Sequence, residues 1–172
     1  QPLNFSFNNN QYEGFSGDTL ASALIANNQR LVARSFKYHR PRGIFSAGSE
    51  EPNALVQLRR DAKLEPNTQA TVTELFDGLE ATSQNHRGSL EFDLMAINDF
   101  MSPLFPAGFY YKTFMWPKSF WEKVYEPIIR ASAGLGRLSG EPDPDTYDKG
   151  FLHCDVLIVG GGPAGLAAAL AA

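Results

Sequence analysis

One stretch limits the fold of this chain more than any other: Cys154-Asp155-Val156-Leu157-Ile158-Val159-Gly160-Gly161-Gly162-Pro163-Ala164-Gly165-Leu166-Ala167-Ala168-Ala169. An apolar run of strand length, Val156 to Val159, leads into glycines spaced G-x-G-x-x-G, and small helix-forming residues follow. This order matches the first strand–turn–helix unit of a Rossmann-like dinucleotide-binding domain. Gly160 permits a tight turn, Gly162 lets the backbone approach a pyrophosphate, and Gly165 lets the helix pack close to the strand. Free N–H groups and the positive dipole end at the helix start suit phosphate. Gly160, Gly161, Gly162, Pro163, Ala164 and Gly165 are therefore the expected cofactor-binding residues; the competing explanation is an ordinary Gly-rich loop. The turn does not by itself choose between NAD and FAD. The deciding acidic residue is expected about 20 residues further on, and no acidic residue follows Gly165 here.

The 172 residues are 43% hydrophobic and 20% charged, with a net charge of −4. That balance is globular and leaves no basic footprint for nucleic acid or an anionic membrane. No apolar run approaches the ~20 residues of a spanning helix. Gln1-Pro2-Leu3-Asn4 shows no secretory leader pattern, so a cytoplasmic location is the default expectation. Gln1 at the start implies that an initiator Met, or more, is missing. The one cysteine, Cys154, excludes an internal disulfide or a cysteine-built metal cage within these residues. His153-Cys154 has no further ligand nearby, so no metal site is expected there.

The first segment reads as a hairpin: Leu3, Phe5 and Phe7 alternate with polar residues, Asn8-Asn9-Asn10 turn, and Gln11 to Phe15 return. Asp18 or Thr19 caps a helix whose apolar side is Leu20, Ala23 and Leu24. Leu31 to Phe36 can form a short strand. A hairpin followed by one crossing helix opens a β-grasp, ferredoxin-like domain. The plant-type cluster spacing C-x4-C-x2-C can be laid on Ser46, Glu51 and Ala54, none of which supplies a thiolate. The reading is of a ferredoxin-like domain without an Fe–S cluster. His39, Arg40 and Arg42 form either a solvated turn, a loop packed on another domain, or one near a phosphate. No acid at a suggestive spacing marks His39 as a base.

Further strands are expected at Ala70–Leu75 and Leu79–Thr82, with Asp77-Gly78 as the hairpin between them. Asp93 can cap a helix over Leu94–Met101. A ring-rich stretch over 92–121 reads as a connector packed on neighbouring domains, with a surface for a base or flavin ring as the alternative. A helix is expected from Pro117 to Gly134, kinked at Pro127, with an apolar stripe of Phe120, Trp121, Val124, Tyr125, Ile128 and Ile129 in a core. Leu135 to Gly150 reads as a linker whose Asp143-Pro144-Asp145 acids are solvated. The expected fold class is α+β, in three parts: a β-grasp domain over 1–90, an aromatic connector and linker over 91–150, and the start of a Rossmann-like domain over 151–172.

Several stretches carry a family resemblance: Gly17-Asp18-Thr19-Leu20-Ala21-Ser22-Ala23-Leu24, Ser35-Phe36-Lys37-Tyr38-His39-Arg40-Pro41-Arg42-Gly43-Ile44, Glu51-Pro52-Asn53-Ala54, Pro106-Ala107-Gly108-Phe109-Tyr110-Tyr111-Lys112-Thr113-Phe114-Met115-Trp116-Pro117, and His153-Cys154-Asp155-Val156 before the glycines. They resemble the N-terminal part of the α subunit of bacterial heterotetrameric sarcosine oxidase, over essentially the whole chain. The resemblance implies oxidation of sarcosine to glycine with hydrogen peroxide. The one-carbon unit leaves as formaldehyde or as methylene-tetrahydrofolate. It further implies NAD in the α subunit, FAD in the β subunit, a covalent FMN between them, folate binding far downstream, and β, γ and δ partner subunits. It also implies a ferredoxin-like domain that lacks cluster cysteines. Of those sites only the NAD glycines Gly160, Gly162 and Gly165 fall on residues present here, and no catalytic residue does. Family α subunits are several times longer, so the chain is expected to be an N-terminal fragment, inactive alone. The alternatives are a related NAD- and FAD-containing subunit of an opine, proline or glycine dehydrogenase, and a non-catalytic β-grasp module that docks subunits.

Overall fold

The computed structural model describes residues 1–105, 107, 108, 114, 116–132, 134, 136, 138–143 and 145–172. The expectations that fall on Pro106, on 109–113 (Tyr110 and Lys112 included), on Met115 and on Pro144 lie outside the described residues.

Strand β1 (Pro2–Phe7) pairs antiparallel with β2 (Asn10–Phe15). Asn8 and Asn9 make the turn at φ 51° and 67°, the left-handed pair that a two-residue hairpin needs and that Asn tolerates. Phe5 and Phe7 point into the core, and the Phe5 ring lies 5.6 Å from that of Tyr12 across the pair. Helix α1 (Leu20–Ala26) follows. Thr19 caps it: Thr19 Oγ1 accepts the Ser22 N–H at 3.1 Å, and Ser22 Oγ accepts the Thr19 N–H at 3.0 Å. Asp18 accepts instead from the Phe15 N–H at 3.0 Å. Leu20, Ala21, Ala23 and Leu24 are buried against the sheet.

The strand expected over Leu31–Phe36 is only β3 (Ala33–Arg34), paired with β4 (Pro41–Arg42). Pro41 has no N–H to extend that ladder, and the chain turns between the two. Strands β5 (Leu55–Arg60), β6 (Lys63–Gln69) and β7 (Leu79–Ser83) complete the main sheet in the order β2-β1-β7-β5-β6. Strand β7 runs parallel to β1 and antiparallel to β5, which pairs antiparallel with β6. A hairpin, a crossing helix and a late strand returning beside the first make the β-grasp arrangement of a ferredoxin-like domain.

Of residues Ala70–Leu75, expected as a strand, Ala70–Val72 form a turn and Glu74 makes a lone antiparallel bridge with Thr19. Their carbonyls are engaged elsewhere: the Leu20 and Ala21 N–H groups donate to Thr73 and Ala70 at 2.9 and 3.0 Å. The segment therefore packs beneath the start of α1, burying Ala70 and Leu75. Asp77-Gly78 is not a hairpin. It hands the chain to β1, with Gly78 N–H on Asn4 O at 2.7 Å and Asn4 N–H on Asp77 Oδ1 at 2.9 Å. Phe5, Phe7, Leu20, Leu24, Val56, Leu58 and Leu79 form the core, with Leu90 added from beyond the sheet.

Asp93 caps a 3₁₀ turn (Leu94–Ala96) that continues into α2 (Ile97–Phe100), and Pro103 sits in a further 3₁₀ turn (Ser102–Leu104). The helix expected from Pro117 is in three pieces: a 3₁₀ turn (Lys118–Phe120), a π-helical turn (Trp121–Tyr125) and α3 (Glu126–Ser132). Pro127 lacks the N–H that would bond four residues back, so the regular helix starts only there. Its apolar stripe is not core: Phe120, Trp121, Val124 and Ile128 are exposed. Helix α4 (Pro163–Ala171) forms after the glycines. Val156–Val159 does not form the expected strand, and Val159 is 88% exposed. Among the described residues no strand pairs with it, so the first strand of the expected Rossmann-like unit is not formed here.

Candidate functional site

The glycine turn has the backbone shape its sequence asks for. Gly160 adopts φ 113°, a conformation that disfavours a side chain. Gly162 is the extended N-cap residue of α4 and Pro163 takes the first helical position. The Leu166 N–H reaches Gly162 O at 2.9 Å, while no side chain caps the helix start. Ala164 and Gly165 therefore lie in a first turn whose N–H groups have no intrahelical partner. Added Cβ atoms at Gly160, Gly161 and Gly162 would meet open space. At Gly165 a Cβ would collide with the carbonyl of Gly160, so that glycine closes the turn on itself. The turn can present N–H groups to an anion. Among the described residues no strand leads into it.

The basic stretch is a second constellation, with Arg34 and His39 buried and Arg40 and Arg42 at the surface. Arg34 is buried: its Nε donates to Leu90 O at 2.8 Å, Nη1 to His39 O at 2.9 Å and Nη2 to Glu91 O at 2.8 Å. His39 adopts φ 55° and is only 2% exposed, with Nδ1 2.6 Å from Asp93 Oδ2. Burial alone would raise the Asp93 carboxyl. The N–H groups of Arg87 and Met95, together with His39, outweigh it and hold Asp93 below the usual carboxylate range. An ionised Asp93 only accepts, so His39 carries its proton on Nδ1. Arg40 pairs with Asp99 at 2.6 Å and lies over the Tyr38 ring. Lys37 Nζ and Tyr38 OH both donate to Phe105 O, at 2.6 and 3.1 Å. His39 is packed inside the fold, whereas Arg40 and Arg42 are exposed. Sequence reasoning missed Asp93 because 54 residues separate it from His39.

The acids of the linker are also engaged. Lys63 Nζ lies 2.8 Å from Asp143 and 3.2 Å from Asp145. The Lys63 bond, followed by that of Tyr147, holds Asp143 down at about 2. Cys154 is an exposed free thiol. Among the described residues no group of three His, Cys, Asp or Glu side chains could hold a metal ion, and no helix is long and apolar enough to cross a membrane.

Residues 1–86 match the family described as 2Fe-2S iron-sulfur cluster binding domain. The chain is 61% identical over 171 residues to sarcosine oxidase subunit alpha of Rhizobium meliloti (strain 1021), covering 99% of this chain and 17% of that protein. It is 35% identical over 172 residues to sarcosine oxidase subunit alpha of Corynebacterium sp. (strain U-96), covering 98% of this chain and 13% of that one. The chain thus spans less than a fifth of the length of either relative, and the resemblance drawn from its motifs is borne out. A crystal structure of L-proline dehydrogenase from P. horikoshii overlaps 49% of this chain and 16% of that one, at 23% identity and a TM-score of 0.39. An overlap that weak carries no argument.

The family match corrects the expectation of a domain without an Fe–S cluster, because the matched family is a cluster-binding one. That expectation rested on Ser46, Glu51 and Ala54 and on the family resemblance. The fit of these residues can be tested directly. Such clusters are held by Cys thiolates, and residues 1–86 contain no cysteine. The Glu51 carboxylate is already bonded to backbone N–H groups of Phe45, Ser46 and Asn53. These side chains do not fit a thiolate ligand set. With half of its length matched and a β-grasp sheet beneath the match, the chain belongs to the family of 2Fe-2S iron-sulfur cluster binding domains.

Proposed function

We propose that this chain is part of the α subunit of a multi-subunit sarcosine oxidase, an oxidoreductase that demethylates sarcosine to glycine. The observation that carries the reading is the 61% identity over 99% of the chain to a sarcosine oxidase α subunit. In this reading the one-carbon unit leaves as formaldehyde or methylene-tetrahydrofolate, hydrogen peroxide is formed, and the partners are β, γ and δ subunits. The chain contributes two parts and no catalytic residue.

The first part is the turn Gly160, Gly161, Gly162, Pro163, Ala164 and Gly165, which holds the pyrophosphate of NAD. Gly162 offers no side chain, and the N–H groups of Ala164 and Gly165, at the positive end of α4, would hold the phosphates. When bound, NAD supplies a hydride acceptor. The second part is the ferredoxin-like domain, which docks the connector and the neighbouring chains. Its 34–40 loop already grips residues 90–105 through Arg34, His39 and Arg40.

The test is co-expression of the full-length α chain with its neighbouring subunits, followed by assays of glycine and peroxide formed from sarcosine. Sarcosine-dependent peroxide from the complex, and none from the 172-residue chain alone, is the expected result. Turnover of proline or an opine with none of sarcosine would move the assignment to the related dehydrogenases.

A further inference from the structure

Glu51 is 2% exposed, yet among the described residues it has no cationic partner. Backbone amides meet its charge instead. Oε2 accepts the N–H of Phe45 at 2.6 Å and of Ser46 at 2.5 Å, and Oε1 accepts that of Asn53 at 2.7 Å. These donors come from both arms of the loop between β4 and β5, so the carboxylate sits where the arms converge. Successive N–H groups turned toward one point form an anion nest.

The outside of the loop is held separately. Gly48 O accepts from Glu51 N–H at 3.2 Å and from Thr71 Oγ1 at 2.8 Å. Gln69 Nε2 donates to Ser49 O and Glu51 O at 3.0 and 3.1 Å. The inner donors have only the carboxylate. Ser46 Oγ, on the same arm, is a buried hydroxyl with no partner. Burial alone would raise the Glu51 carboxyl; the bonds from Ser46, Asn53 and Phe45 outweigh it and hold the group below its ordinary range. Charge and loop are mutually dependent. A carboxylate at that depth is costly without its hydrogen bonds, and the N–H groups are costly without an acceptor.

We infer that the loop over 45–54 is an anion-binding nest whose resident occupant is the Glu51 carboxylate, and that an emptied nest takes a small free carboxylate of the size of acetate. Glu51→Ala removes Cγ and the carboxylate group, which is the skeleton of an acetate ion. Glu51→Gln keeps the volume, removes the charge and turns an NH₂ toward N–H donors.

The experiment uses the chain with Glu51→Ala and Glu51→Gln. It measures thermal midpoints and amide hydrogen exchange at Phe45, Ser46 and Asn53, with acetate, pivalate or chloride at matched ionic strength. Both variants are expected to lose about 5 °C or more, with exchange at the three amides at least about tenfold faster. Acetate restores Glu51→Ala saturably, while the bulkier pivalate and chloride do not, and acetate leaves Glu51→Gln unchanged because its amide fills the space. Wild-type exchange in Glu51→Ala, or equal recovery with chloride and acetate, overturns the inference. If Glu51→Ala does not fold, Glu51→Gln decides: unchanged exchange at the three amides sinks the nest, and selective loss there sustains it.

Discussion

His39 Nδ1 lies 2.6 Å from Asp93 Oδ2 with both side chains buried, although the two residues are 54 positions apart. The pair joins the turn after β3 to the cap of the 3₁₀ turn that opens the connector. Removing one partner strands the other in a place water does not reach. His39→Ala and Asp93→Ala should each cost about 3–5 kcal/mol, read from urea unfolding. Asp93→Asn should cost less, since its remaining oxygen can still accept from Arg87 or Met95. A double variant no worse than either single one would establish the coupling, and strict additivity would refute it.

The same carboxylates set an acid limit. Asp93 and Glu51 both sit below their ordinary values in the folded chain. As pH falls, the unfolded state takes up protons first, from about pH 4. The stability these groups contribute is thus complete above that range and lost as pH drops toward their folded values. Unfolding free energies measured from pH 6 to pH 3 should fall steeply below about pH 4. Asp93→Asn and Glu51→Gln should each flatten the fall; an unchanged slope in both would count against these assignments.

Two arginines six positions apart should behave differently. Arg34 satisfies three carbonyls from inside the fold, so Arg34→Ala should lose about 3 kcal/mol or more. Arg40 makes an exposed pair with Asp99, each side chain close to half exposed, and Arg40→Ala should cost less than about 1 kcal/mol. In the assembled protein the proposed docking role predicts more for the outer pair. Replacing Arg40 and Arg42 together by Ala should weaken assembly or NAD retention while flavin chemistry persists. Intact assembly with tight NAD would argue against docking.

The glycine turn gives a graded test. A Cβ at Gly165 collides with the Gly160 carbonyl, whereas one at Gly161 meets open space. In the full-length protein Gly165→Ala should lower NAD retention more than Gly161→Ala. Titration of the 172-residue chain with NAD should show no tight binding, because one helix turn supplies phosphate contacts alone. A micromolar dissociation constant by calorimetry would overturn that.

Local signals carried far in this chain. Asn8-Asn9, Thr19 and Asp93 each act on neighbours within a few residues, and each does what its chemistry forecasts. The errors arose where the partner is distant. The alternation of Ala70, Val72 and Leu75 looked like a strand, but the N–H groups of Leu20 and Ala21 claim the backbone there. The stripe through Phe120 and Ile128 has the spacing of a core face, yet among the described residues it stays exposed. His39 lies 54 residues from its acid, and no spacing rule connects it to Asp93. The part the Glu51 carboxylate plays is set by backbone N–H groups of Phe45, Ser46 and Asn53, which no residue type reveals. The glycine turn was legible in backbone shape, since that depends on the glycines themselves; its strand was not, since a strand exists only through neighbours.

The parallel pairing of β1 with β7 joins Phe5 to Leu79 and Phe7 to Ala81. On a ribosome this makes the order of synthesis matter. The first hairpin and α1 emerge early, but the central strand of the sheet is the last to be made. Until Ser83 has cleared the exit tunnel, β1 has a bare edge open to pairing with another nascent chain. The domain can commit to its fold only after that moment, so pauses between Leu55 and Ser83 prolong the interval in which neighbouring copies can entangle.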